Sequence, residues 1–248
     1  RGHALAARIF HFMRQEEKAK AHLAHIAEAD LDVSKQPALL AQIKFSQGKN
    51  DEALEICNRA IGAGATDPPL RLIISNIHLY EKRYGEAEQQ LWTLLENVPG
   101  NVYAHRLLTQ FYISQRQFAA GINAYRRVQW HSGGEMLAHL SVAALQHAAG
   151  QADAALNTLS TIYEPLVKAG QRRALVVADA MSAVYQRSKD LTMAMDVYQR
   201  LVEADFYRGW AILRQVNLLM QLGERDRAVE FLDNLAATLN TAGINLQH

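Results

Sequence analysis

The sequence predicts an all-α chain, a solenoid of about seven helical hairpins, and three observations carry that expectation. A small residue returns at Ala19, Ala53, Ala87, Gly121, Ala155, Ala194 and Ala228, at intervals of 34 residues except for one of 39. Four positions after it stands a larger, mostly apolar residue (Leu23, Cys57, Leu91, Tyr125, Leu159, Tyr198, Leu232). Seven positions after it stands another apolar one (Ile26, Ala60, Leu94, Val128, Ile162, Leu201, Leu235). Small at i, large at i+4 and apolar at i+7 form one stripe along a helix. A fixed period of this length belongs to stacked hairpins, each of which buries its apolar face only against its neighbours.

With the small residue placed at position 20, the rows are 1–33, 34–67, 68–101, 102–135, 136–174, 175–208 and 209–242. The first helix of each row has its own stripe. Position 7 reads Ala6, Leu40, Ile74, Leu108, Val142 and Met181 and breaks with Gln215, while position 8 stays small from Ala7 through Ser182. Position 15 is Gly48, Gly150 or Gly223 in three rows and Arg14, Lys82, Arg116 or Lys189 in the others. Glycine suits a first helix that ends in a left-handed residue, and a cation there complements the helix C-terminus. Asp51, Asp153 and Asp226 fall in the opening turn of the second helix, where negative charge is favourable. Gly62 to Pro69 reads as a firm helix stop. The five extra residues fall in 164–174, which is expected to lengthen a helix or its loop and to form the weakest joint of the stack.

Composition narrows the function classes. Of 248 residues 49% are hydrophobic and 21% charged, which marks a folded protein and not a disordered tail. Twenty-six Lys and Arg against 25 Asp and Glu leave +1, so neutralising nucleic-acid phosphates is not the expected work. The single cysteine, Cys57, excludes an internal disulfide. That fits the cytoplasm and equally a periplasmic protein without bridges, with a lean to the cell envelope. No run approaches the roughly 18 apolar residues of a membrane span, so this segment is not expected to insert into a bilayer. The opening Arg1-Gly2-His3, without an initiator Met, is expected of a segment excised from a larger bacterial protein.

These repeats resemble the tetratricopeptide repeat (TPR) family over essentially the whole chain. The match is degenerate. The family's closing proline stands in register once, at Pro99, and its aromatic first-helix position is met by Phe10, Tyr112 and Tyr185 but not by Lys44, His78 or Gln146. The resemblance implies a right-handed superhelix of around 14 helices with a concave and a convex surface.

Catalytic signatures are missing: there is no GxSxG, glycine-rich phosphate loop, HExxH or CxxC. The chain is expected to be no enzyme, to use no cofactor and to hold no metal. His22 and His25 share a helix face at i and i+3, yet no carboxylate or cysteine joins them at ligand spacing. His105 and His139 recur at position 4 and are expected to pack between helices.

In the fold that the resemblance implies, first-helix positions 2, 5, 6, 9, 12 and 13 look into the concave groove. Position 9 carries Arg8, Gln42, Asn76, Gln110, Ala144, Ala183 and Asn217. Gln42, Asn76 and Gln110 read as an amide ladder able to grip an extended peptide backbone. They read equally as polar residues tolerated on a solvated face. Beside them stand Phe12, Phe45, Leu72, Leu79, Tyr80, Tyr103 and Ile113, of which Tyr80 and Tyr103 best suit a half-wet anchor surface. Six groove cations (Arg1, Arg8, Lys35, Arg106, Arg187, Arg214) against one acid, Asp179, leave +5 in a chain whose total is +1. Such a groove would attract an acidic partner. The five-residue carboxylate clamp of chaperone-binding TPR domains is not matched: Ala38, Gln42, Ile73, Tyr103 and Leu107 stand at its places.

The expected function is a non-catalytic scaffold that binds one or more proteins along the groove, through an extended or acidic segment. The candidate binding residues are Arg8, Gln42, Asn76, Tyr80, Tyr103, Arg106, Gln110, Arg187 and Arg214. Alternative readings are the recognition arm of a cell-envelope exopolysaccharide or pilus assembly system, the substrate-binding arm of a larger enzyme, and a saccharide-handling module.

Overall fold

A computed structural model describes Lys18, Ala21, 36–131, 133–204 and 208–241, with side chains to 237. The first row, Arg8 and the His22/His25 pair with it, lies outside the described residues, as do Arg1 and Lys35. The described chain is all-helical, with twelve helices and no strands. They are α1 (Pro37–Ser46), α2 (Asn50–Gly62), α3 (Pro68–Tyr80), α4 (Tyr84–Asn97), α5 (Val102–Ser114) and α6 (Phe118–Arg127), followed by α7 (Gly134–Ala148), α8 (Ala152–Lys168), α9 (Arg173–Arg187), α10 (Leu191–Glu203), α11 (Arg208–Gln221) and α12 (Arg225–Thr241). Odd-numbered helices are the first helices of their hairpins and even-numbered helices the second.

One backbone device joins the two helices of every described hairpin. Position 15 is left-handed in all six, at Gly48, Gly150 and Gly223 but also at Lys82, Arg116 and Lys189, whose φ angles are 60°, 55° and 59°. The next amide then donates back five residues: Lys49 to the Lys44 carbonyl at 2.9 Å, Arg83 to His78 at 2.8 Å, Gln117 to Tyr112 at 2.9 Å. Gln151, Asp190 and Glu224 repeat the bond at 2.9 Å. This is the bond by which a helix end satisfies its last carbonyls. The carbonyl of the same residue accepts from the small residue that starts each stripe, as Lys49 does from Ala53 at 3.1 Å and Glu224 from Ala228 at 3.0 Å. The 34-residue beat is therefore a repeated turn as well as a repeated contact.

The chain forms two compact units, one of residues up to Phe111 with Trp130–Leu137, the other of Tyr112–Gln129 with Ala138 onward. In the first unit α1 packs on α2, α3 on α4, and both α1 and α2 on α3. Ala41, Ala53, Cys57, Leu70, Ile73, Ile74 and Ile77 form its core. Two prolines, Pro68 and Pro69, open α3, where the missing amide hydrogens cost nothing. A second cluster holds Trp130 against Trp92, with ring centroids 6.2 Å apart, and against His105 at 5.0 Å.

In the second unit α8 packs on α9, α9 on α10, α10 on α11 and α11 on α12. The stripe residues Ala155, Leu159, Ala194, Tyr198 and Leu201 are buried. Two stripe members are exposed. Val128 lies just past the end of α6 and Leu232 faces outward on α12, where no later hairpin among the described residues covers it. Gln215, the break in the position-7 stripe, is buried and donates from Nε2 to the Met195 carbonyl at 3.3 Å and to Gln199 Oε1 at 3.4 Å. Helix α10 supplies acceptors for its Nε2, while the buried Oε1 has no hydrogen-bond partner among the described residues.

The five extra residues lengthen a helix: α8 runs 17 residues, with Pro165 inside it, where α10 runs 13. The Tyr163 hydroxyl, buried at the end of α8, donates to the Val197 carbonyl in α10, and Glu164 pairs with Arg200 at 3.1 Å. We propose that this joint is the weakest in its unit, because it is the one spaced by 39 residues. Tyr163→Phe removes the buried hydrogen bond, worth about 1 kcal/mol. Amide exchange should then quicken from α9 to α12 and stay unchanged in α1–α4; a uniform change would refute the joint.

Candidate functional site

The first helices turn one face inward to their own second helices and to the next hairpin, and leave the other exposed. Six of the large apolar residues that remain exposed sit at positions 2, 5, 12 or 13 of first helices: Tyr80, Tyr103, Val176, Trp210, Leu213 and Met220. Within each unit these residues recur at the same first-helix positions, where exposed apolar groups gather.

In the first unit this face carries Gln42 and Asn76, half-buried on α1 and α3, and Gln110, exposed on α5. None of the three amides forms a hydrogen bond among the described residues, so their donors and acceptors all remain open. Tyr80 ends α3 with 75% of its surface exposed. On α5 the Arg106 guanidinium lies over the Tyr103 ring, 5.5 Å from its centroid. Residues three apart on a helix meet in this way, and the stacking holds a cation on an aromatic platform without neutralising it. No carboxylate pairs with Arg106 among the described residues. Phe45, Leu72, Leu79 and Ile113 are half-buried, Phe45 against the α1–α3 core, so they contribute packing more than surface.

In the second unit Arg187 is exposed at the end of α9 and makes no ion pair among the described residues. Arg214 on α11 differs: its Nε lies 3.0 Å from Asp179 Oδ1. The one acid and one of the cations counted from the sequence thus form a pair. Beside the pair lies an open cavity of about 240 Å³.

Position 11, the aromatic position of the repeat, is half-buried at Lys44 and Tyr185 and buried in the other described hairpins. Tyr112, His78, Gln146 and Leu219 are all buried there. Two polar occupants are compensated locally, Lys44 by Glu52 at 3.0 Å and Gln146 by the Thr158 hydroxyl at 2.8 Å, whereas the buried His78 Nδ1 has no hydrogen-bond partner among the described residues. His105, at position 4, donates from Nε2 to the Pro99 carbonyl at 2.9 Å, a packing role. Burial drives His78, His105 and His147 below the ordinary histidine range. It also pushes the Cys57 thiol up to about 12, which removes the thiolate a nucleophile needs. Among the described residues no three His, Cys, Asp or Glu side chains gather into a metal-binding group. No described helix is long and apolar enough to cross a membrane.

The depressed histidines carry a pH consequence. As pH falls through 6.5, the unfolded chain takes up protons that the folded chain refuses, so stability is full above that range and is lost below it. The melting temperature is expected to be lower at pH 5.5 than at pH 7.5 by a few degrees. His105→Gln should flatten part of that slope; an unchanged slope would mean the buried imidazoles are not its source.

No family model matches the chain, and no curated protein matches it. Solved structures do. A tetratricopeptide repeat protein from Parabacteroides merdae superposes with a TM-score of 0.48 at 14% identity, over 93% of this chain and 90% of that one. A thermophilic TPR protein of Thermus thermophilus, TTC0263, gives 0.38 at 17% identity over 75% and 99% of the two chains. The Naa15/Naa10 assembly bound to HypK-THB gives 0.41 at 14% identity, with all of this chain on 37% of that one. The assignment of the fold rests on the chain's own period, register and packing.

Proposed function

We propose that this chain, a TPR-like helical-repeat protein, is a non-catalytic scaffold that binds an extended, acidic segment of a protein partner along the exposed face of its first helices. The observation that supports this reading is the make-up of that face. Within each unit, exposed large apolar groups, amides with open hydrogen-bonding capacity and a cation without an ion-pair partner stand at the same first-helix positions. The apolar groups offer anchor points, the amides suit a main chain irrespective of its side chains, and Arg106 and Arg187 favour negative charge. Arg8, Gln42, Asn76, Tyr80, Tyr103, Arg106, Gln110, Arg187 and Arg214 remain the proposed contact set.

Partner capture from native cells tests it, with the wild-type chain beside an Arg106→Glu/Arg187→Glu variant. Reversing two surface charges is expected to weaken capture roughly five- to tenfold at low salt, less at high salt where screening shortens their reach. Loss of the partner only on substituting exposed residues of the second helices would place binding on the other face and sink the groove reading.

A further inference from the structure

The cavity beside Arg214 has the parts of a receptor for a single carboxylate. It is lined by Asp179 and Gln186 on α9, Tyr198 on α10, and Arg214, Asn217 and Gln221 on α11. Asp179 Oδ1 receives two donors, Arg214 Nε at 3.0 Å and the Tyr198 hydroxyl at 2.9 Å. Tyr198 is itself buried, so it anchors the carboxylate, and the carboxylate anchors the guanidinium. One edge of the Arg214 fork is thereby spent on holding its orientation. Its two terminal nitrogens have no partner among the described residues, and their parallel N–H groups match the two oxygens of a carboxylate.

The surroundings say what should carry that carboxylate. Arg214, Asn217 and Gln221 stand at i, i+3 and i+7, on one stripe of α11. Asn217 and Gln221 have no hydrogen-bond partner among the described residues, and Gln186 uses only its Nε2, weakly, on Ser182 Oγ at 3.3 Å. These amides donate and accept as a peptide main chain requires. Trp210 stands exposed one turn before Arg214 and Leu213 stands exposed directly before it, with the Arg172 guanidinium 6.0 Å from the Trp210 ring. Charge favours an anion. Asp179 already cancels Arg214, and Arg187, about two turns along α9, together with Arg172 beside Trp210 leaves the neighbourhood positive, which favours an anionic side chain.

We infer that the α9–α11 cavity seats the side-chain carboxylate of an extended peptide on the Arg214 fork, with Asn217 and Gln221 on the peptide backbone and Trp210 and Leu213 taking its neighbouring apolar residues. This rests on the groove reading above and names the chemistry of one subsite within it.

The test uses the whole chain and a capped heptapeptide with one central glutamate flanked by leucines, followed by NMR of the arginine Nε–H and side-chain amide resonances. The glutamate peptide should shift Arg214, Asn217 and Gln221 and bind at least about fivefold tighter than its glutamine analogue. Arg214→Lys, which keeps the charge and loses the fork, should erase that preference while the chain stays helical by circular dichroism. Equal affinity for the two peptides, an undiminished preference in Arg214→Lys, no shift at Arg214, or tighter binding of a phosphoserine analogue would each overturn the inference. The two levels separate cleanly. If Gln42, Asn76 and Gln110 shift and Arg214 does not, the groove stands and this subsite falls. If Arg214 shifts but native partner capture ignores Arg106 and Arg187, the subsite stands and the groove reading falls.

Discussion

Gly134→Ala and Gly121→Ala should each destabilise the protein by about 2–3 kcal/mol, although both place the better helix former in a helix. The reason is space. A methyl on Gly121 would meet the Tyr112 ring at 2.8 Å and Leu145 Cδ1 at 2.9 Å. Tyr112 is buried with 2% of its surface exposed, so its ring has nowhere to move. At Gly134 the methyl would meet the Pro99 carbonyl oxygen at 2.7 Å, Pro99 Cβ at 2.8 Å and the Trp130 ring at 2.9 Å, two of them rigid and one of them backbone. Close packing without voids leaves such contacts only off-rotamer or backbone shifts as an escape. Gly85 supplies the control: it lies in the first turn of α4, and a methyl added there would have nothing within 4 Å. Gly85→Ala should be neutral or stabilise by up to about 1 kcal/mol. Urea denaturation of the three variants decides the matter, and a neutral Gly121→Ala would show that the Tyr112 ring yields.

Replacing Lys82, Arg116 and Lys189 together by glycine should stabilise the chain by about 2–3 kcal/mol and raise its melting temperature by roughly 5–10 °C. Each holds a left-handed conformation that costs a side-chain-bearing residue about 1 kcal/mol and costs glycine little. Part of the gain is returned through glycine's freer unfolded chain, which keeps the sum modest. All three side chains are exposed and lie far apart in sequence, so nothing is lost in packing and the effects should add. The reverse changes, Gly48→Ala and Gly223→Ala, should each cost about 1 kcal/mol. A triple variant no more stable than the parent would mean that the cations stabilise the helix ends by as much as their backbone strain costs.

Much of the architecture is legible in the sequence because the signals are local. The i, i+4, i+7 stripe and the recurring position 15 need only a helix and its turn, and neither depends on distant residues. Lys82, Arg116 and Lys189 show the limit of that reading. Their left-handed backbone is dictated by the bond that closes each first helix, and residue type alone signals it only where glycine stands. The exposed residues are half legible in the same way: Tyr80, Tyr103, Trp210, Leu213 and Met220 all fall at groove positions of the repeat, but Phe45, Leu72 and Leu79 do too, and only packing decides which are left uncovered.

Sequence by itself determined the helical-hairpin class, the 34-residue register and the surplus of cations at first-helix positions, since each follows from periodicity along one chain. Tertiary structure alone decided three things. It made Gly121 obligatory, because the Tyr112 ring fills the space a methyl needs. It turned position 11 into a buried or half-buried site, where Lys44 and Gln146 are tolerated because Glu52 and Thr158 supply partners. It joined Asp179 to Arg214 across 35 positions of sequence and so left one guanidinium edge aimed at solvent. Contacts between helices depend on which faces meet, and a charge counted along a chain carries no record of its partner.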